Sequence, residues 1–83
     1  MVRVSISEPD AFARYPFPEE FRLGTIVQHK NGDRGKIIDA VYEGASSKLG
    51  GSYTIIYTVE QENRVYYYAN EFELRKISHT ENV

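Results

Sequence analysis

The sequence predicts a mainly β domain, in which five short strands close into one small barrel behind an N-terminal arm. Three observations lead to that reading. The chain has three Leu against fourteen Val plus Ile and seven Tyr, and β-branched and aromatic side chains suit a pleated, half-buried surface better than a helix. Apolar and polar residues alternate with a period of two in several short runs, separated by Gly-, Asn- or Pro-containing segments. At 83 residues there is room for a single domain with a modest core, and closing the sheet protects short strand edges.

The segment Val2-Arg3-Val4-Ser5-Ile6 alternates like an edge strand. Ser7-Glu8-Pro9-Asp10 has the composition of a helix start, with Ser7 as cap, and predicts one helical turn ending by Phe12 or Ala13. Pro16 and Pro18 stop that helix, so residues 15–20 read as an extended lead-in. Residues 1–20 form the arm, 21–77 the barrel and 78–83 a frayed tail.

Within the barrel, strand one covers residues 25–30, and Asn31-Gly32 supply a turn that tolerates positive φ. Strand two covers 36–42, and the broken alternation at Ile37-Ile38-Asp39 predicts a bulge over 38–40. Residues 44–52, Gly-Ala-Ser-Ser-Lys-Leu-Gly-Gly-Ser, read as a long loop. Strand three, 53–60, puts Tyr53, Ile55, Tyr57 and Val59 on one face and Thr54, Ile56 and Thr58 on the other. A hairpin loop at 61–63 leads to strand four, 64–69. A 3-10 turn over 70–72 precedes strand five, 73–77. The expected core is Val27, Ile37, Ile55, Tyr57, Leu74 and Ile77, with one of Val65 and Tyr67. Five strands, one long loop and a single turn before the last strand describe an SH3-like barrel. An OB-fold fits less well, because three residues between strands three and four leave no room for its helix.

No catalytic pattern stands out. His29 lies in a strand and His79 in the tail, and neither has a Ser, Cys or acid at a spacing that builds a relay. The absence of Cys excludes thiolate metal centres and a disulfide framework, and two His without regular carboxylates offer no metal set. The glycine turns lack the Lys-Ser/Thr ending of a phosphate loop. The reading is therefore no enzyme, no cofactor and no metal. No apolar run approaches bilayer-spanning length, and the first ten residues lack a signal peptide's apolar region, so a cytoplasmic protein with no membrane association is expected.

The tyrosines point elsewhere. Tyr66, Tyr67 and Tyr68 are consecutive, so alternation turns at least one ring to solvent, where a flat apolar surface with a hydroxyl rim suits protein contacts. The bland alternative packs these rings over Tyr53 or Ile56, or under the arm's Phe12, Tyr15 and Phe17. The candidate protein-binding set is Tyr66, Tyr68, Tyr53, Tyr42 and Lys48. A competing set, Lys30, Arg34 and Lys36 flanking the opening turn with Lys48 from the long loop, suits phosphate contacts. A net charge of −2 weighs against unspecific nucleic-acid binding.

The stretch Phe21-Arg22-Leu23-Gly24-Thr25-Ile26-Val27-Gln28-His29, followed by a glycine turn and Gly35-Lys36-Ile37, resembles the opening of the hemimethylated-DNA-binding, or heat-shock protein Q, family. Phe21, Gly24, Val27, His29, Gly35 and Ile37 carry the match. Tyr53, Ile55, Tyr67, Ala69 and Leu74 resemble that family's later strands. The resemblance covers residues 21–74; the middle loop is shorter here, Leu74 falls one residue late, and the arm has no counterpart. It implies a small non-enzymatic barrel, with either DNA or adaptor roles in regulated proteolysis. The expected function is a small adaptor or accessory protein-interaction module, with a DNA- or RNA-binding module as the alternative. The partner is another protein, with monomer and weak homodimer both open.

Overall fold

The computed structural model describes residues 2–45 and 52–79. Its strands are β1 (Val2–Ser5), β2 (Thr25–His29), β3 (Arg34–Gly44), β4 (Tyr53–Glu60), β5 (Tyr66–Asn70) and β6 (Leu74–His79). They form one six-stranded antiparallel sheet in the order β5-β4-β3-β2-β6, with β1 joined to β3 off that path. The fold is mainly β, as expected, but the sheet has six strands where the expected barrel had five. The sheet does not close: β5 and β6 are the two ends of the path, and no ladder joins them among the described residues. The chain turns sharply after Asn70, and β6 takes the free edge of β2 rather than that of β5.

The longest strand, β3, organises the rest. One of its edges pairs with β4 from Lys36↔Glu60 to Gly44↔Tyr53. Its other edge is divided, first to β2 through Arg34, Gly35 and Lys36, then to β1 through Val41 to Gly44. The register with β4 shifts between Ile37 and Asp39, so Ile38 is the extra residue of a bulge inside the expected window. Gly35 is required where β3 passes β4, since a Cβ there would stand 2.6 Å from both the Glu60 carbonyl O and Val59 Cγ1.

Val27, Ile37, Ile55, Tyr57 and Leu74 are buried, as alternation predicts. Ile77 is not: it is the extra residue where the β2–β6 register shifts, and it stands 38% exposed. Val65 is also exposed, because it closes the β4–β5 turn rather than entering the ladder, and Tyr67 is the one of that pair that packs on the core. The arm supplies what the alternation argument left out. Ala11 and Phe17 are core residues, as is Phe21 where the arm joins the barrel segment, with the Phe21 ring edge-on to Tyr57 at 5.4 Å.

The helix starts later than its composition suggests. α1 (Ala11–Arg14) follows Asp10 in the left-handed region at φ 64° and has no side-chain cap. Ser7 is not free to cap it, because its hydroxyl and that of Ser5 bond each other, while the Glu8 carboxylate accepts the Ser5 N–H. Pro16 ends α1 as expected. The lead-in then forms a 3-10 turn, Glu19–Phe21, after Pro18 in extended conformation, and this turn swings Phe21 inward. Arg22 lies over the Phe12 ring at 4.1 Å and pairs with Glu19, which ties α1 to this turn. The arm thus belongs to its own sheet through β1.

Candidate functional site

Tyr66 and Tyr68 lie on the outer face of β5, 53% and 72% exposed, while Tyr67 and Ala69 face inward. Neither the arm nor a neighbouring strand covers the two outer rings. The main chain of β5 adds to this. The Gln61 N–H donates to the Val65 carbonyl, and the β4–β5 register runs Val59↔Tyr67 and Tyr57↔Ala69. Hydrogen-bonded pairs alternate along an antiparallel ladder, so Tyr67 and Ala69 direct their N–H and C=O groups to β4. Tyr66, Tyr68 and Asn70 direct theirs away from it. The Asn70 N–H, accordingly, donates to a side chain, Glu73 Oε1, at 3.0 Å.

Tyr53 and Tyr42 have a different setting. Tyr42 is 5% exposed and sits between Tyr15 and Tyr53, at ring-centroid distances of 4.9 and 5.4 Å. Its hydroxyl donates to the Ala45 carbonyl at 2.6 Å. It is a core residue that can offer a partner nothing except through Tyr53, whose ring is about half exposed. Lys48 lies outside the described residues.

The 3-10 turn Glu71–Glu73 carries a group that alternation did not single out. Phe72 is 89% exposed, the most exposed of the large apolar side chains among the described residues. Its position is fixed from behind. Asn70 Oδ1 accepts from the N–H groups of Phe72 (2.9 Å) and Glu73 (3.1 Å), and Glu73 returns the bond to the Asn70 N–H, a complete capping box. The Glu73 carbonyl also accepts the Lys30 N–H at 2.9 Å. Phe72 stands between two open depressions. One, of about 440 Å³, includes Tyr53, Thr54, Asn70 and Glu71. The other, of about 370 Å³, includes His29, Lys30, Glu73 and Arg75.

His29 forms the wall of the second depression, and both of its ring nitrogens are engaged. Nδ1 accepts the Asn31 N–H at 3.1 Å, so the ring proton sits on Nε2, which faces Glu73 Oε2 at 3.5 Å. The Tyr67 ring meets His29 edge-on at 5.5 Å, and its hydroxyl donates to the Asp33 carbonyl. This imidazole holds the β2–β3 turn against the 3-10 turn through both ring nitrogens. The Asn70 backbone N–H holds the Glu73 carboxyl below its ordinary range, with His29 and Lys30 adding to the effect. Burial pushes the Tyr67 phenol up, and Asp33 pushes it further. Tyr57 is also raised by burial, then by Glu71 and Glu20, and its buried hydroxyl has no partner among the described residues.

The basic set is brought together only in part. Arg34 and Lys36 line a separate groove of about 990 Å³, facing Glu60, Glu62 and Arg64. Lys30 belongs to the depression beside Phe72. Two acids therefore share the groove with three bases. Among the described residues, no group of three or more His, Cys, Asp or Glu could hold a metal ion, and no helix is long and apolar enough to cross a membrane. In comparisons with family models, with curated proteins and with solved structures, nothing matches this chain.

Proposed function

We propose that the chain is a small protein-interaction module on an SH3-like strand path, which docks an extended segment of another protein and performs no chemistry. The observation that carries this is Phe72. A side chain of that size left almost wholly in water, on a turn held by a capping box and the Lys30 N–H and flanked by two depressions, is an anchor waiting for a pocket-filling contact. The order β5-β4-β3-β2-β6, with a 3-10 turn before the last strand, supports the SH3-like description. The resemblance of residues 21–74 to the heat-shock protein Q family agrees with an adaptor role. The fitting segment has an apolar residue against Phe72 and an acidic residue towards Lys30 and Arg75. Arg75 is steadied by Gln28 Oε1 at 2.6 Å, and neither base is in an ion pair among the described residues.

Selection from a random peptide library displayed on phage tests this on wild type and Phe72→Ala in parallel. Wild type should enrich sequences with one apolar position and a neighbouring acid. Phe72→Ala should lose that enrichment while keeping its thermal midpoint, since the ring packs on nothing. Equal enrichment by both proteins, or none by either, would remove the proposal.

The second reading, nucleic-acid binding, is favoured by the meeting of Arg34, Lys36 and Arg64 in one groove. It ranks below the first because Glu60 and Glu62 face the same space and repel phosphate. A low-salt fluorescence titration with duplex and single strands decides it: binding weakened by Arg34→Ala supports it, and no binding removes it.

A further inference from the structure

We infer that β5 is a pairing edge for a second copy of this chain, giving a symmetric dimer in which two β5 strands run antiparallel about Tyr67. The main chain already has the required spacing. Tyr66 and Tyr68 point their N–H and C=O groups away from β4, as the Gln61–Val65 bond and the β4–β5 register require, and among the described residues no strand lies along that side. Centring two copies on Tyr67 sets Tyr66 opposite Tyr68 of the other copy, and the reverse. Each such pair joins residues whose hydrogen-bonding groups both point into the new ladder, so both pairs form fully. The Asn70 N–H, already taken by Glu73, marks where the ladder ends.

The side chains fit the same arrangement. From Val65 to Asn70 there is no charge, so self-pairing sets no like charges opposite each other. The exposed rings of Tyr66 and Tyr68 meet across the join as aromatic cross-strand pairs, which are among the favourable kinds. At the ends of the ladder, Arg64 of each copy comes opposite Asn70 of the other and beside Glu71, an attractive arrangement. A five-residue strand is a small join, so the dimer is weak and concentration-dependent.

Sedimentation equilibrium of the full chain over a range of concentrations, with Tyr68→Pro and Tyr68→Lys beside wild type, tests the inference. Proline removes only an outward N–H at that position, so the fold should survive, and Lys keeps the backbone while placing like charges across the join. Wild type should pass from the mass of one chain to that of two, and both variants should associate at least about tenfold more weakly. Circular dichroism checks that the variants remain folded. Should both lose the fold, the wild-type Tyr66 and Tyr68 amides give the second readout, since their exchange must slow as the protein associates. Wild type that stays a single chain up to millimolar concentration, a dimer unaffected by either folded variant, or exchange at those amides that ignores concentration would each overturn it.

Discussion

The two ends of the sheet differ in how they meet solvent. At one end β6 carries Arg75 and Lys76, both exposed, and is bent by the extra residue Ile77. Charge and a bulge are the usual means of keeping a sheet edge from pairing with other chains. At the other end β5 is regular, uncharged and lined by Tyr66 and Tyr68. One edge is defended and the other is not. The contrast teaches that openness at β5 is not a by-product of failing to close a barrel, because the same chain protects its other terminal strand by two separate devices.

Proline substitution breaks that comparison most severely. Tyr67→Pro removes an N–H that points to β4 and a ring that packs on the core, and should cost at least about 2 kcal/mol in a denaturant titration. Tyr68→Pro should cost less than about 1 kcal/mol, since its N–H points outward. Similar losses at both positions would mean that the assigned register is wrong. Gly35→Ala tests a residue paired to β2 and packed closely against the end of β4, in place of one at an edge. Its new Cβ meets backbone and should cost about 1–3 kcal/mol through overpacking.

A smaller effect is expected at the junction of β2 with the 3-10 turn. Glu73 has a lowered folded pKa, so its contribution to stability is present above the ordinary carboxylate pKa and is lost as pH falls through the lowered value. Thermal midpoints of wild type and Glu73→Gln should therefore differ at neutral pH and converge in acid below the normal carboxylate range. A constant difference across that range would assign the stabilisation to shape and not to charge.

Much of the sheet was legible because alternation is a direct consequence of the pleat. The inward set Ile55, Tyr57 and Val59 follows from it, as does the break at Ile38. What it could not supply has identifiable causes. Ile77 reads as core by spacing, but a bulge in β6 changes the parity, and no residue in that strand announces it. Phe17 is framed by Pro16 and Pro18, which suggest an extended lead to Glu20, whereas Pro18 in fact caps a 3-10 turn that rotates Phe21 into the core. Tyr42 resembles the exposed tyrosines in sequence, and only the neighbouring Tyr15 and Tyr53 rings decide that it is buried. Phe72 was missed for the opposite reason: a three-residue turn has no inside and outside that a period of two can read. The capping residues Asn70 and Glu73 were the available signal, since their spacing marks where the turn begins and hence which side chain stands outermost.

Residue-resolved amide hydrogen exchange on dilute protein, where association is negligible, tests the central claim most directly. The account predicts an alternating pattern along β5, with the Tyr67 and Ala69 amides protected and those of Tyr66 and Tyr68 exchanging nearly freely. Strong protection at Tyr66 and Tyr68 in the single chain would contradict it, because some part of the molecule would then already occupy that edge.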